Sequence, residues 1–503
     1  MLAPAGFEGT KPAPRQHKIS RQINQSRENM RMKLQKFTEF ANTLLPHETA
    51  YLHSTQQFED DIKLGILELI DYNCNNIRQF TPYDPSIDKR KYSNLKNWIT
   101  ERLEAIDVDV RFDWMSRLER QVMTDSIEPQ EEKQLLRSIR DYDQLDFYFT
   151  KFYELVEIYR HFLLIRMRYA HHKVADDFLK NYRKQYEECK ATGERIHEAT
   201  LDIVNEYSKN SAQSLHWENW LTEVFYNEEL DGLNRYLALV RLTFVYFNYR
   251  QFEKLREKYD YIDQLFRDGR YYSRRILLNY YANRVMLHTK FQEFDKAEYY
   301  GYLSIREKNS DYIHYVNNLS AVLLRQKKYQ DALQLMRSAY PEMKNTPSFH
   351  NRIGFVAFYL KCLNYNQQYK NAENYAESFL QAYKKEIFEY RWHIFFSSYL
   401  DAILQQEKYS KVLKVVRKYQ LLEREKQYQK SANYLPTILW YNAVAQYKEM
   451  LIQKDEISTL IQESIGQLDR VDAKQHQLRD LLEELRPFIP GVVNRVQDKM
   501  LTA

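Results

Sequence analysis

One cluster of residue types in the chain has the spacing of a metal site. Glu194, His197 and Glu198 stand at i, i+3 and i+4, so a helix would place all three on one face. Glu-x-x-His is half of a carboxylate-bridged di-iron site, and the second half has to come from another helix. None of the other twelve of the 13 histidines follows a Glu by three residues. We therefore interpret the cluster as helix capping and surface pairing, and we expect no metal and no cofactor.

Motifs of phosphate-binding and hydrolytic enzymes are missing from the sequence. The 10 glycines form neither a Walker motif nor GxGxxG, and neither a G-x-S-x-G elbow nor H-E-x-x-H is present. We therefore predict a non-catalytic protein. An enzyme within residues 25–210 is an open alternative.

The composition favours helices. Gly contributes only 10 and Pro only 12 of the 503 residues, too few for the tight turns of β-sandwiches, barrels and propellers. The 42 Tyr and 26 Phe residues suit interfaces that are buried on one side and wet at the rim, and repeat arrays contain many of these. These features predict an all-α fold, and the chain length predicts several domains or a repeat array.

Charge, cysteine content and hydropathy indicate an intracellular protein. The net charge of +5 is spread over 74 basic and 69 acidic residues and gives only a weak global field. Cys74, Cys189 and Cys362 show no paired spacing, which fits a reducing compartment. No apolar run reaches the roughly 18 residues of a membrane span, and the N-terminus lacks the apolar core of a secretory signal. We predict a cytoplasmic protein with no membrane partner.

Composition and pattern distinguish four segments. Residues 1–24, first rich in Pro, Gly and Ala and then basic, predict a disordered arm. Residues 25–210 show a helical pattern without an alignable repeat and predict an N-terminal helical domain. Residues 211–455 predict a repeat array, and residues 456–503 predict helices that cap it. Within the second segment, residues 145–169 are dense in aromatic side chains and predict its buried core helix.

A short element recurs in the later part of the chain: an aromatic residue, two polar residues, then a small or aliphatic residue at the head of a helix. Its five copies are Phe252–Leu255, Phe294–Ala297, Tyr329–Ala332, Tyr369–Ala372 and Tyr409–Val412. The aromatic residues are 42, 35, 40 and 40 positions apart, the range in which helix–turn–helix units repeat.

The helix before each copy carries a seam at i, i+3, i+4 and i+7. In the third copy the seam residues are Val316, Leu319, Ser320 and Leu323. A lone hairpin would leave such a seam in water, so adjacent hairpins are predicted to stack as an α-solenoid.

These copies resemble tetratricopeptide repeats, whose units pair two antiparallel helices across an aromatic-to-alanine turn. The resemblance covers roughly residues 232–425 and is strongest in the third copy. The copies lack the family's paired large and glycine residues in the first helix, and their spacing drifts from the family's roughly 34 residues. The resemblance implies first helices that line a concave groove, in which a peptide or helix of another protein binds.

Transfer of that geometry gives nine candidate partner-binding residues on the predicted first helices. They are Asn279, Asn283, Met286, His314, Asn317, Asn318, Arg325, Lys361 and Asp401. Asn amides can hydrogen-bond a peptide backbone, and Arg or Lys can hold a carboxylate. The family's Lys/Asn clamp for a C-terminal carboxylate is not reproduced across adjacent copies. A solvated polar surface is the alternative interpretation of these residues.

Nucleic-acid binding is the alternative function. Helical repeats can bind single strands, and the chain is rich in Tyr and Arg. Its basic cluster consists of Arg267, Arg270, Arg274 and Arg275. The irregular repeat spacing and the modest net charge favour a protein partner. The sequence therefore predicts a scaffold or adaptor that binds another protein.

Overall fold

The computed structural model describes residues 34–76, 79–209, 214–429, 434–468 and 472–502. Over these ranges the chain forms 26 α-helices and one short 3-10 helix, and it contains no β-strand. The predicted all-α fold is confirmed. The predicted arm, residues 1–24, lies outside the described residues.

Packing divides the chain into two compact units, Met1–Leu277 (unit 1) and Leu278–Ala503 (unit 2). The first twelve helices, all in unit 1, are α1 Gln35–Ala41, α2 Pro46–Thr55, α3 Asp61–Asn75, α4 Lys89–Ile106, α5 Val108–Met123, α6 Pro129–Arg140, α7 Phe149–Ile165, α8 Tyr169–Asn181, α9 Arg183–Lys209, α10 Glu218–Tyr226, α11 Gly232–Asn248 and α12 Phe252–Arg267. The next helix, α13, spans Arg274–Lys290. Residues 211–277, predicted as the start of the repeat array, belong to unit 1.

The thirteen helices that follow all lie in unit 2. They are α14 Phe294–Ser304, α15 Tyr312–Arg325, α16 Tyr329–Asn345, α17 Phe349–Tyr365, α18 Tyr369–Ala382, α19 Lys384–Glu389, α20 Trp392–Leu404, α21 Tyr409–Lys418, α22 Leu421–Tyr428, α23 Thr437–Lys448, α24 Lys454–Gly466, α25 Asp472–Leu485 and α26 Pro490–Thr502.

Helix α7 is the core helix of unit 1, as its aromatic density predicts. Its side chains that are 0% exposed include Phe149, Phe152, Leu155, Tyr159 and Leu163. Helix α7 packs against α5, α8 and α9. Each of these large side chains stabilises the fold by roughly 1.5–3 kcal/mol on burial, so α7 holds its neighbours together.

Unit 2 is built from stacked helical hairpins. Helix α15 pairs with α16, α17 with α18, and α20 with α21. The first helices of these hairpins also pack side by side, α15 with α17, α17 with α20, and α20 with α23. The predicted seam of the third copy, Val316, Leu319, Ser320 and Leu323, is 0% exposed throughout. Stacking of consecutive hairpins therefore buries the seams, as predicted.

Each of the five predicted aromatic residues is the first residue of a helix. Helices α12, α14, α16, α18 and α21 begin at Phe252, Phe294, Tyr329, Tyr369 and Tyr409. Two positions earlier the backbone is left-handed in every copy, with φ from 56° to 59°, at Arg250, Gln292, Lys327, Gln367 and Glu407.

The left-handed residue allows the turn to satisfy the last carbonyls of the preceding helix. Lys328 N donates to Leu323 O at 2.9 Å, and Gln368 N donates to Leu363 O at 2.9 Å. This is the six-residue bond of a Schellman motif, which more often uses Gly. A non-glycine residue costs about 1 kcal/mol in this conformation. The turn therefore forms in a glycine-poor chain at a small local cost.

Another turn of this type joins α7 and α8 in unit 1. Met167 has a φ of 55°, and α8 begins two positions later at Tyr169. Arg168 N donates to Leu163 O at 3.0 Å. The residue three positions after Tyr169 is His172 rather than a small or aliphatic residue, so the sequence element is incomplete here. A hairpin with the repeat turn thus occurs within residues 25–210, where no repeat was predicted.

None of the helices in the described ranges combines the length and the apolar content that crossing a membrane requires.

Candidate protein-binding face

The exposed stripes of α15, α17 and α20 form one surface, which we name the first-helix face. On α15, His314, Asn318 and Arg325 lie at i, i+4 and i+11, which places them on one side of the helix. On α17, His350 and Lys361 are 11 residues apart, as His314 and Arg325 are on α15, so they also lie on one side of their helix. Because the first helices pack side by side, these stripes adjoin one another.

Contacts between the first helices define two ends of this face. Near the helix beginnings, Arg391 Nε donates to His350 Nε2 at 2.8 Å. Near the helix ends, Asn364 Nδ2 donates to Asp401 Oδ2 at 2.8 Å. We name these regions the amino end, with His314, His350 and Arg391, and the carboxyl end, with Arg325, Lys361, Tyr365 and Asp401.

The amino end combines a guanidinium with two imidazoles. Desolvation and the positive charge of Arg391 lower the pKa of His314. Desolvation, Arg391 and His314 together lower the pKa of His350 to about 4. Both imidazoles are therefore mostly neutral at neutral pH. The amide of Asn318 is also close, with its Nδ2 3.4 Å from His314 Nε2. A cation among neutral hydrogen-bonding groups suits a carboxylate or a peptide backbone.

Gly354 leaves room for the Arg391 side chain at the amino end. A Cβ at position 354 would lie 2.6 Å from Arg391 Nη1 and 3.2 Å from Asn317 Nδ2. Gly in a helix interior is about 1 kcal/mol less favourable than Ala. The guanidinium that crosses α17 here accounts for a glycine within that helix.

At the carboxyl end, the side chains of Arg325 and Asp401 are desolvated although water reaches them. Arg325 is exposed, yet desolvation lowers its pKa, and the negative charge of Asp480 opposes that shift. Asp401 is partly exposed, and desolvation and the charge of Glu484 raise its pKa to about 6. The charged groups of α25 therefore lie close to Arg325 and Asp401, and we name the region between them the recess.

Helix α25 of the same chain occupies this recess. The hydroxyls of Tyr365 and Tyr441 both donate to the Glu484 carboxylate, the latter at 3.4 Å. Desolvation, followed by the charge of Glu484, raises the pKa of Tyr365. The ring of Tyr329 stacks on that of Tyr365, with centroids 4.6 Å apart. The carboxyl end therefore holds a helix through one of its carboxylates.

The structure brings five of the nine predicted residues together on this face. They are His314, Asn318, Arg325, Lys361 and Asp401. Lys361 Nζ lies 5.6 Å from the centroid of the Tyr365 ring. Asn279, Asn283 and Met286 form a partly exposed stripe on α13, where Asn283 Nδ2 donates to Asn279 Oδ1 at 3.0 Å.

Asn317 differs from the other predicted residues. It is 2% exposed, and its Nδ2 donates to Asn351 O at 3.1 Å. The side chain therefore joins α15 to α17 and presents almost no surface to a partner. Asn317 and Asn318 are i+3 and i+4 from His314, so both lie within about 60° of its direction, on opposite sides of it, and α17 covers the side of Asn317.

Five further residues that form this face or contact it were not predicted. They are His350, Tyr365, Arg391, Tyr441 and Glu484. Extension of the α17 stripe from Lys361 in both directions would have found His350 and Tyr365, because both keep helical spacing with it. No local signal could have found Glu484, which lies 119 residues after Tyr365 in the chain.

The basic cluster that suggested nucleic-acid binding is paired with carboxylates. The nitrogen–oxygen pairs are Arg267–Asp263 at 2.9 Å, Arg270–Glu228 at 3.6 Å, Arg274–Glu48 at 3.0 Å and Arg275–Asp109 at 2.9 Å. Phosphate contacts would have to compete with each of these acidic partners. Nothing in this arrangement favours a nucleic-acid interface.

The sequence cluster with metal-site spacing lies exposed on α9. Within the part of the chain that the structure describes, no group of three or more His, Cys, Asp or Glu side chains is arranged to hold a metal ion. In comparisons with known proteins, no family model matches this sequence and no curated protein matches it.

Proposed function

We propose that the chain is a non-catalytic scaffold or adaptor that binds a helix or an extended segment of another protein along the first-helix face. One observation supports this most strongly. Helix α25 lies in the carboxyl end, where Glu484 accepts hydrogen bonds from Tyr365 and Tyr441. A surface that holds a helix of its own chain has the shape and the donors to hold a helix of another.

The recurring turn supports a repeat of the tetratricopeptide type. Five hairpins share a left-handed residue two positions before an aromatic helix start. In that family the first helices form the binding groove, and here the first helices carry the partly exposed polar stripes. The proposal therefore rests on the hairpin geometry and on the placement of polar side chains together.

The proposal includes a cytoplasmic location. Cys74, Cys189 and Cys362 are all buried. Burial raises the pKa of the Cys362 thiol to about 11, which keeps it protonated and poorly reactive. Three buried cysteines in separate parts of the core are compatible with a reducing compartment.

Quantitative mass spectrometry of proteins that co-purify with the tagged full chain tests the proposed function. The variant His314→Ala/Asn318→Ala removes two partly exposed side chains from the first-helix face. The matched control Gln334→Ala/Asn374→Ala removes exposed side chains from the second helices α16 and α18. We expect recovery of the true partner to fall about tenfold in the first variant and to be unchanged in the control.

Equal partner recovery from the wild type and from both variants would contradict binding at this face. Loss of the same proteins from both variants would also contradict it, because the second-helix side is not part of the proposed site. Circular dichroism melting of each variant shows whether it remains folded.

A further inference from the structure

We propose a second site, in unit 1, that binds a small phosphate ester. The site is a cavity of about 520 Å³ between α6 and α8, which pack against each other. Sites for small molecules span roughly 300–1,000 Å³. We name it the basic cavity, because its lining includes Lys133, Arg137, Arg140 and Arg168.

Three of these cations line the cavity from α6. Lys133, Arg137 and Arg140 lie at i, i+4 and i+7, so they project from one side of the helix, and all three are exposed. In the described ranges, none of their side chains forms a hydrogen bond or ion pair with another residue. Like charges at this spacing repel one another. An anion bound among them would remove that repulsion.

Arg168 and His171 supply donors from the other wall. Arg168 forms an ion pair with Glu132, and its Nη2 donates to His171 Nδ1 at 2.9 Å. Because a guanidinium can only donate, His171 accepts at Nδ1 and carries its proton on Nε2. Tyr159 also donates its hydroxyl to Glu132 at 2.7 Å. Glu132 therefore positions Arg168, and its charge is balanced locally.

The charge balance favours a phosphate group over a carboxylate. Four cations line the cavity against two carboxylates, Glu132 and Asp141. A phosphate monoester carries about 1.5–2 negative charges and three acceptor oxygens at neutral pH, so it needs several donors. Arginine forks match phosphate oxygens in pairs.

The apolar part of the lining favours an ester over inorganic phosphate. Leu136, which is 7% exposed, and Pro129 provide apolar surface beside the cations. A cavity of about 520 Å³ has room for an organic group next to the phosphate. Because the first-helix face belongs to unit 2, this site does not depend on the proposed protein-binding function.

Isothermal titration calorimetry of the full chain with benzyl phosphate tests the site, with inorganic phosphate and benzyl alcohol as comparison ligands. We expect benzyl phosphate to bind more tightly than inorganic phosphate, and benzyl alcohol to give no heat of binding. The variant Arg137→Gln/Arg140→Gln is expected to bind benzyl phosphate about tenfold more weakly. The control Arg90→Gln/Lys184→Gln, which removes two exposed cations from α4 and α9, should stay within about twofold of the wild type.

The proposal is overturned if neither phosphate ligand binds, or if both variants bind benzyl phosphate as the wild type does. Vesicles containing phosphatidic acid distinguish a lipid headgroup from a soluble ester. Sedimentation with such vesicles, without binding of benzyl phosphate, would overturn the soluble-ester assignment. Binding of a single-stranded oligonucleotide that depends on Arg137 and Arg140, without benzyl phosphate binding, would overturn it in favour of a polyanion surface.

Discussion

The two ends of the first-helix face are built from the same row of helices but differ in what they hold. At the carboxyl end, Glu484 of α25 fills the recess and is held by Tyr365 and Tyr441. At the amino end, the Arg391 guanidinium lies over Gly354 and donates to a neutral His350. The comparison indicates that partly buried hydrogen bonds from two tyrosines fix the carboxyl end. At the amino end, the contact between α17 and the start of α20 is made by one long side chain, that of Arg391.

Among substitutions that test the difference between the two ends, removal of the Glu484 carboxylate should have the largest effect on the free energy of unfolding. Glu484→Ala leaves two tyrosine hydroxyls without their acceptor, and Tyr441 is 3% exposed. We expect the free energy of unfolding to fall by about 2–3 kcal/mol, measured by denaturant titration. Glu483→Ala, which removes the neighbouring exposed carboxylate paired with Arg486, should cost much less, because water screens this pair. Equal losses from the two variants would contradict the description of the carboxyl end.

The pH dependence of stability should have opposite signs at the two ends. The folded pKa of Asp401 is raised from 3.8 to about 6, so protonation favours the folded state. The resulting stabilisation is complete below the ordinary Asp pKa and is lost as pH rises through 6. Asp401→Asn should remove this dependence, which we expect to be roughly 1–2 kcal/mol for a partly exposed group.

His350 provides the comparison for that measurement. Its folded pKa is lowered from 6.5 to about 4, so the neutral imidazole favours the folded state. Its contribution to the free energy of unfolding is complete above the ordinary His pKa and is lost as pH falls through 4. Stability of wild type, Asp401→Asn and His350→Gln is measured between these limits. For each variant we compare with wild type how much the free energy of unfolding changes with pH. If both substitutions alter this pH dependence in the same direction, the assignment is refuted.

Replacement of a left-handed residue by Gly should stabilise the turns next to the carboxyl end. Lys327 is exposed and has a φ of 59°, which Gly adopts without the steric cost of a Cβ. We expect Lys327→Gly to raise the free energy of unfolding by about 0.5–1 kcal/mol. Gln334→Gly, at an exposed position within α16, should lower it by about 1 kcal/mol. If Lys327→Gly is as destabilising as the control, the turn conformation is wrong.

The smallest effect on stability is expected at Gly354. A Cβ there would meet the end of the flexible Arg391 side chain, which can move aside, and Ala gains helix propensity. We expect Gly354→Ala to change the free energy of unfolding by about 0.5 kcal/mol or less. The pKa of His350 should rise as the guanidinium leaves, measured by NMR titration of the imidazole. An unchanged His350 pKa would show that Arg391 does not set it.

The helical hairpins could be predicted from the sequence because their signals are local. A helix begins at each predicted element, although it starts at the aromatic residue (Phe294, Tyr329 and Tyr369) and not at the small residue three positions later, because each turn involves only about six neighbouring residues. The same locality explains the hairpin that was missed. At Tyr169 the backbone makes the turn, but His172 replaces the small residue that the sequence element requires.

The site could be predicted only in part. Helical spacing placed His314 and Asn318 correctly on one side of α15, but it could not exclude the buried neighbour Asn317. The contact between Glu484 and Tyr365 joins residues far apart in the chain. It depends on where α25 packs, and residues 456–503 were predicted only as capping helices. Such pairings arise from tertiary packing, so no periodic pattern in the sequence contains them.

The position of α25 also sets a threshold for ligands of the first-helix face. A segment tethered to its own site is present there at an effective concentration on the order of millimolar. A partner that binds in the recess beside Tyr365 must displace α25 from it. A partner that uses only the side chains around Arg391 does not compete with α25, so ligands of equal intrinsic strength would bind the two ends at different concentrations.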